Sequence, residues 1–198
     1  MIIWINGAFG SGKTTAAFEL RRRIKNSCVY DPENAGYFIR ENSPDILKKG
    51  DFQDFELWRE INYKMLKLMS ENYTGLIIAP MTLVNPEYYE DIIGKLRDDG
   101  IEVRHFILYA SKETIVKHLK FRSFGRIKNE SFAVQAIDRC MDSFDNYITE
   151  EKIFTDGKSP DDIVAEIAVK AMIKLEPDRR PKIKKIFDRY FTLFRHIR

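Results

Sequence analysis

MIIWINGAFGSGKTT, residues 1–15, joins an apolar run to a glycine-rich loop, and the helical pattern AAFELRRRI follows directly. We predict a buried strand over residues 1–6, then the loop, then a helix. The loop fits G-x-x-x-x-G-K-[ST], in which glycines let backbone N–H groups turn inward and form a concave nest for phosphate oxygens. The positive dipole end of the helix adds to the same anion site.

This motif predicts a nucleotide site of the P-loop type, with ATP and Mg²⁺ as its ligands. Lys13 supplies a point charge for the β- and γ-phosphates, and the hydroxyl of Thr14 suits Mg²⁺. The predicted nucleotide-binding residues are consecutive: Gly7, Ala8, Phe9, Gly10, Ser11, Gly12, Lys13, Thr14 and Thr15. A turn that binds nothing is disfavoured, because the motif lies between a strand and a helix.

Length and composition limit the architecture and the partners. The chain has 198 residues, 44% of them hydrophobic, which suffices for one substantial core. Net charge is +3, so nothing in the global charge indicates nucleic acid as a partner. Cys28 and Cys140 lie far apart, and no secretory pattern precedes the first strand, so we expect a reduced cytoplasmic protein.

Apolar segments alternate with helical patterns along the whole chain. Beyond the first strand, strands are predicted over residues 27–30, 75–81, 101–109 and 152–155. Apolar strands separated by helices favour an α/β fold, a doubly wound three-layer sandwich around a parallel sheet of about five strands. We expect a kinase-like domain over residues 1–175, with a helical lid at about 122–140, and an amphipathic C-terminal helix within residues 176–198.

Asp31 is the candidate carboxylate at the carboxyl end of the second strand, where ligands bind in such folds. The third strand, LIIAP, offers no acid, so we assign Asp31 both to the acceptor hydroxyl and, through water, to the metal with Thr14. The alternative is a turn residue that bonds its own backbone before Pro32.

Basic residues lie in and beside the break between two helices after the fourth strand. A helix, basic loop and helix at this place resemble the lid of small P-loop kinases, in which arginines close over the phosphates. We assign Arg122 and Arg126 to catalysis and Arg139 to the substrate; the alternative is that each is a solvated surface charge.

The acceptor side is predicted from residues 33–63. Rings, an amide and guanidinium groups in this stretch suit a sugar or a base, and the candidates are Tyr37, Arg40, Trp58, Arg59 and Asn62. For Trp58 the alternative is a core position, since it lies in an apolar helical stripe.

Several segments resemble the bacterial tunicamycin resistance proteins: WINGAFGSGKT, VYDPENAG, DFQDFELWREINY, APMTLVNPEYYEDIIGKLR, ASKETIVKHLKFR, QAIDRC and IFTDGKSPDDIVAEIA. The likeness covers residues 1–180 and is weakest over residues 124–131. It implies an ATP-binding fold of the nucleoside-monophosphate-kinase type and resistance to a nucleoside antibiotic that bears uracil and sugars. The nucleotide site carries over to residues 7–14, with Asp31 at the matching strand end.

Two functions of different class follow. The first is a kinase that transfers the γ-phosphate of ATP to a hydroxyl of a small nucleoside-like or sugar-bearing compound. The second is a non-catalytic, ATP-dependent binder that sequesters the antibiotic. Asp31 favours the kinase, whereas the missing acid on the third strand slightly favours the binder. A motor or DNA-processing ATPase is disfavoured for the same missing acid.

The tail carries an apolar stripe at helical spacing: Ile183, Ile186, Phe187, Tyr190, Phe191, Phe194 and Ile197. Its other positions are rich in lysine and arginine. One interpretation is a helix that docks its stripe on the domain. The other is an interfacial helix over residues 181–198 that makes peripheral contact with anionic lipid at the inner face of the cell membrane.

Overall fold

A computed structural model describes residues 1–122 and 130–195, with the backbone alone at residues 121–122, 130–134 and 193–195. One parallel sheet has the strand order β2-β3-β1-β4-β5. The strand bounds are β1 Ile2–Gly7, β2 Ser27–Val29, β3 Leu76–Pro80, β4 Val103–Tyr109 and β5 Glu151–Phe154. The predicted α/β architecture with five parallel strands is therefore confirmed.

Helices connect the strands and cover both faces of the sheet. Their bounds are α1 Lys13–Arg23, α2 Glu33–Asn42, α3 Glu56–Asn72, α4 Pro86–Tyr89, α5 Lys95–Asp98, α6 Lys112–Arg122, α7 Glu130–Asn146, α8 Pro160–Lys170 and α9 Lys182–Arg195. A π-helical turn, Glu90–Gly94, joins α4 to α5. Within the described ranges, no helix is long and apolar enough to cross a bilayer.

Strand β1 is buried at every position because it lies in the middle of the sheet, between β3 and β4. Its alternate side chains enter different cores. Ile3 and Ile5 join the core beneath α1 and α8, and Ile2 and Trp4 join the core beneath α3. The central strand thus carries the glycine loop on a backbone held from both faces.

Side-chain caps begin two of the helices, α4 and α8. Asn85 accepts hydrogen bonds from the backbone N–H groups of Glu87 and Tyr88, and Ser159 forms a capping box with Asp162. Residues between α2 and α3 form two short 3₁₀ turns, Asp45–Leu47 and Phe52–Asp54.

Helix α9 contacts α1 with its charged face, and the part of its apolar stripe within residues 183–191 points away from the domain. The exposed fractions of the stripe residues in this range run from 43% at Tyr190 to 71% at Phe187, with 69% at Ile183. Thr192, on the opposite side of the helix, is 5% exposed and accepts a hydrogen bond from Arg22. The interpretation in which the stripe docks on the domain is therefore wrong for the described residues.

Ion pairs replace the expected apolar contact. Glu19 on α1 is almost fully buried, and its carboxylate lies 2.5 Å from Arg180, 2.8 Å from Arg22 and 3.5 Å from Arg189. Carboxylate oxygens of Glu19, Asp161 and Asp178 lie within 4.8 Å of one another. Helix α9 and the segment before it supply the cations that hold these three acids together: Arg180, Lys185 and Arg189.

Candidate functional site

The glycine loop connects β1 to α1 in a conformation that only glycine adopts readily. Gly10 and Gly12 have φ values of 86° and 98°. A Cβ built on Gly12 would meet no atom of a described residue within 4 Å, so the positive φ of the backbone is the reason that glycine is favoured there. The space beside Gly12 faces the start of α1, where the first N–H groups have no partner within the helix.

Lys13 lies across this loop. Its ammonium donates hydrogen bonds to the carbonyl oxygens of Gly7, at 2.9 Å, and Ala8, at 3.0 Å. It also lies 5.6 Å from the ring centroid of Phe9, which is 48% exposed. The geometry places a positive charge over the concave side of the loop, where a phosphate would displace the two carbonyl contacts.

Two hydroxyl groups of the loop suit phosphate and metal. The Ser11 hydroxyl is buried and makes no hydrogen bond with any described residue, which is costly unless a ligand or solvent supplies a partner. Thr14 is partly buried in the first turn of α1, and in the described residues its hydroxyl also makes no hydrogen bond. These residues fit a nucleotide phosphate with its Mg²⁺, which prefers oxygen ligands.

Residues that the sequence predictions missed fix the loop to the neighbouring strand end. Asn6 is fully buried; its amide accepts from the N–H groups of Gly7 and Leu83 and donates to the Leu83 carbonyl at 2.7 Å. The Thr82 hydroxyl donates to the Gly7 carbonyl at 2.8 Å, and Gln53 donates to Thr82 at 3.1 Å. The available signal is a polar residue at the end of an otherwise apolar strand.

Asp31 follows β2, which is separated from β1 by β3. Its Oδ1 accepts a hydrogen bond from the N–H of Glu33 at 3.1 Å, so Asp31 does form the turn that the alternative interpretation requires. The side chain is only partly buried, and its position at the carboxyl edge of the sheet agrees with the sequence prediction. The turn contact is thus observed, whereas a role of Asp31 toward the acceptor or the metal stays a prediction.

On the other side, α6 and α7 pass beside the glycine loop. His118 Nδ1 lies 3.0 Å from the Gly10 carbonyl oxygen. Burial raises the pKa of the Cys140 thiol, and the positive charges of Lys13 and Arg139 oppose that rise, so both cations lie within electrostatic reach of the same thiol. Arg139 is exposed and makes no ion pair with another described residue. The side chain of Arg122, and Arg126 altogether, lie outside the described part of the chain.

Two of the predicted acceptor-side residues converge on one ring. The Arg40 guanidinium lies 5.3 Å from the centroid of Phe52, and the ring of Tyr37 contacts the same ring edge-on at 6.3 Å. Arg40 also donates to the Gly50 carbonyl, and Tyr37 donates to Glu33. Phe52 therefore organises this side, although the sequence predictions did not single it out.

The other three acceptor candidates have structural roles. Trp58 is fully buried and donates a hydrogen bond to the Pro32 carbonyl at 3.0 Å. It occupies the core position that the alternative interpretation gives it, and it does not present a ring face to a substrate. Asn62 is also fully buried, between Trp58 and the hydroxyl of Tyr30. Arg59 forms an ion pair with Asp91 at 2.8 Å. Each of the three thus has a polar contact within the described part of the protein, and a substrate role for Asn62 and Arg59 stays a prediction.

No protein-family model and no curated protein sequence matches the chain. The solved structure of the Deinococcus radiodurans tunicamycin resistance protein is similar, with a TM-score of 0.77 and 27% identity over 89% of this chain and 98% of that one. The resemblance found in the sequence is confirmed by this match.

Kinase structures share the fold at lower identity. A sugar kinase from a Janibacter species has a TM-score of 0.57 and 15% identity, over 87% of this chain and 94% of that one. Shikimate kinase from Aquifex aeolicus has a TM-score of 0.54 and 17% identity, over 87% of this chain and 96% of that one. These similarities show a P-loop kinase fold.

Proposed function

We propose that the chain binds ATP in the glycine loop and transfers its γ-phosphate to a hydroxyl of a small nucleoside-like or sugar-bearing compound of the tunicamycin type. The observation that carries the proposal is the loop itself. Left-handed glycines open its concave side, Lys13 lies over it, and the Ser11 hydroxyl is buried there with no partner among residues 1–122 and 130–195 as described. The similarity to a protein named for tunicamycin resistance supports the choice of acceptor.

In this proposal each loop residue has a task. Lys13 exchanges its two carbonyl contacts for the β- and γ-phosphate oxygens, and Ser11 donates its hydroxyl proton to a phosphate. Thr14, with Asp31 through water, would hold Mg²⁺, which neutralises phosphate charge when bound. Arg139 reaches the same region from α7 and stabilises the charge on the transferred group, a role we extend to Arg122 and Arg126.

The acceptor would lie between the glycine loop and Phe52. Tyr37 and Arg40 contact this ring, and Gln53 beside it is hydrogen-bonded to Thr82, which in turn holds Gly7. An acceptor bound on this side would therefore contact residues that are linked to the glycine loop by hydrogen bonds. Asp31 accepts or orients the proton of the attacking hydroxyl.

Mass spectrometry of the acceptor tests the proposal. Protein, Mg-ATP and a panel of tunicamycin, uridine and a free hexose are incubated, and each compound is examined for an added phosphate group. Phosphorylation of tunicamycin by the wild type and not by Lys13→Ala is expected. Nucleotide that fails to bind either protein would remove the basis of the proposal.

Sequestration without catalysis is the second candidate, favoured by two observations. Strand β3 supplies no acid, and one oxygen of Asp31 is used in a turn. This function predicts tight, ATP-dependent binding of unmodified tunicamycin. Recovery of chemically intact drug and intact ATP from the complex would support sequestration over transfer.

The exposed stripe of α9 supports a further part of the proposal, peripheral contact with an anionic membrane through residues 181–198. Ile183 and Phe187 are 69% and 71% exposed, and lysines flank the stripe. The charged face is used against the domain, so the helix offers its apolar face outward without leaving α1.

Vesicle co-sedimentation with a matched control tests this contact. Ile183→Gln with Phe187→Gln should abolish binding to anionic vesicles, because the apolar surface that enters the interface is lost. Val169→Gln with Met172→Gln removes equally exposed apolar side chains elsewhere and should leave binding unchanged. Equal binding by both double variants, or self-association through the stripe in place of lipid binding, would contradict the membrane contact.

A further inference from the structure

Far from the glycine loop, five basic residues surround one cleft. The cleft has a volume of about 490 Å³ and lies between the end of α1 and the segment that leads into α9. Its charged lining consists of Arg22, Arg23, Arg179, Arg180, Lys184 and Asp178. Helix α1 has 11 residues, so the cleft is about 16 Å from the glycine loop along that helix. We call this feature the basic cleft.

The single acid of the lining is already neutralised. Asp178 accepts from the Arg180 guanidinium at 2.9 and 2.8 Å and forms an ion pair with Lys185 at 3.1 Å. Hydrogen bonds from Arg180 hold the pKa of the Asp178 carboxyl well below its usual range. Arg180 is in turn shared with Glu19 and Asp188, so this pair forms the fixed wall of the cleft.

Three other basic side chains of the lining, Arg23, Arg179 and Lys184, have N–H groups that could bind a ligand. Neither Arg179 nor Lys184 makes a side-chain hydrogen bond or ion pair with any described residue. Toward the described residues, Arg23 uses only its Nε, which donates to the Glu176 carbonyl at 3.0 Å. The two terminal nitrogens of that guanidinium therefore still offer N–H groups.

The helix dipole of α1 explains only part of the positive charge in the basic cleft. Arg22 and Arg23 lie in the last turn of α1, where cations offset the negative end of the helix dipole. That effect does not explain why Arg179 and Lys184, from a different segment, face the same space. Like charges held together around a concave space by the fold bind an anion that bridges them.

We propose that the basic cleft is a second anion site, one that binds a phosphate group carried by a small molecule or by a lipid head group. Arginine forks match phosphate oxygens in pairs, and Lys184 adds a point charge. The start of α9 lies at the rim, since Pro181 also lines the cleft, and its N–H groups add positive potential. The volume exceeds that of a bare phosphate, so part of the attached group lies inside.

Either source of phosphate is compatible with the position of the cleft. Lys184 lies one turn before Phe187 on α9, so the cleft borders the exposed stripe, and a head group in a membrane could reach it. A soluble phosphate monoester could reach it equally well. The experiment therefore offers the phosphate in both forms.

The full-length chain, with its glycine loop saturated by Mg²⁺ and a non-hydrolysable ATP analogue, is titrated with inorganic phosphate and glycerol 3-phosphate. Backbone and arginine Nε–H resonances are followed by NMR. A second arm uses phosphatidylglycerol against phosphatidylcholine nanodiscs. Saturable shifts at Arg23 and residues 179–184 are expected, with soluble phosphates if the ligand is a free monoester and only with phosphatidylglycerol if it is a head group.

Arg179→Ala with Lys184→Ala should weaken this binding by about ten- to a hundredfold, since two charged donors are lost. Neither side chain supports the fold through an ion pair, and Arg179→Lys with Lys184→Arg should restore binding. Lys174→Ala with Lys182→Ala removes two exposed lysines outside the cleft and should change nothing. Absence of saturable shifts with every probe, or equal affinity in the Arg179→Ala, Lys184→Ala protein, would overturn the proposal.

Discussion

Helix α9 should depend for its position on the buried carboxylate of Glu19 and hardly at all on its exposed Phe187. Glu19→Gln keeps the side-chain volume and removes the charge that three arginines share. Removal of one partner from a buried ion pair costs about 3–5 kcal/mol. The side chains of the three arginines are 16–31% exposed, so water can partly solvate the charges that lose their partner. We therefore expect a loss of about 3 kcal/mol in the free energy of unfolding, the lower end of this range.

Phe187→Ala provides the contrast on the same helix. Phe187 is 71% exposed, so its truncation should change the free energy of unfolding by less than about 0.5 kcal/mol. Glu151→Gln, which breaks the exposed pair with Lys170, is the control for loss of a surface carboxylate and should cost less than about 1 kcal/mol.

Urea unfolding measures all three variants. With a slope of about 2 kcal/mol per molar urea, Glu19→Gln should lower the midpoint by roughly 1.5 M. Hydrogen exchange should show faster exchange of α9 amides in this variant. A Glu19→Gln protein as stable as the wild type, together with a loss of more than about 2 kcal/mol in Phe187→Ala, would refute docking through the charged face.

Further predictions concern the site and the core. Lys13→Ala should lose ATP affinity and turnover by calorimetry and kinetics, since the charge over the loop is removed; equal affinity would contradict its role. Asp31→Asn should retain nucleotide affinity and lower single-turnover transfer by about two to four powers of ten, whereas unchanged transfer would leave Asp31 as a turn residue. Trp58→Ala should cost about 3–5 kcal/mol in urea unfolding, and a nearly neutral result would argue against its core position. Burial lowers the pKa of His105 to about 3, so the unfolded chain binds the extra proton and stability should fall as pH drops from about 6.5 toward 3. In His105→Phe the urea midpoint should change less steeply with pH over that range. A pH dependence equal to that of the wild type would contradict the assignment.

Local chemistry made the sheet and the glycine loop predictable. The strand-loop-helix pattern at residues 1–15 and the alternation of apolar runs with capped helices specify the parallel fold from neighbouring residues alone. Trp58 was ambiguous because a tryptophan in a helical stripe serves core and ligand equally well. Its burial depends on contacts with Phe52, six residues before it, and with Pro32, which lies 26 residues away and is brought beside it only by the fold.

The tail shows the limit of periodicity. The stripe that includes Phe187 predicts a helix correctly but not which face the domain contacts. That choice depends on Glu19, a single acid on a helix far away in sequence, and on its neighbours in space. Asn6 and Thr82 were missed for the same reason, since their hydrogen bonds join two strand ends that are adjacent only in the folded sheet.

Transfer of labelled phosphate is the most direct test of the central claim that the glycine loop serves phosphoryl transfer. Protein in excess over ATP labelled in its γ-phosphate is mixed with Mg²⁺ and tunicamycin, and the label is followed in a single turnover. We predict that label appears in the antibiotic with the wild type and not with Lys13→Ala. Label that stays in ATP while tunicamycin remains bound and unmodified would contradict the kinase and leave the ATP-dependent binder.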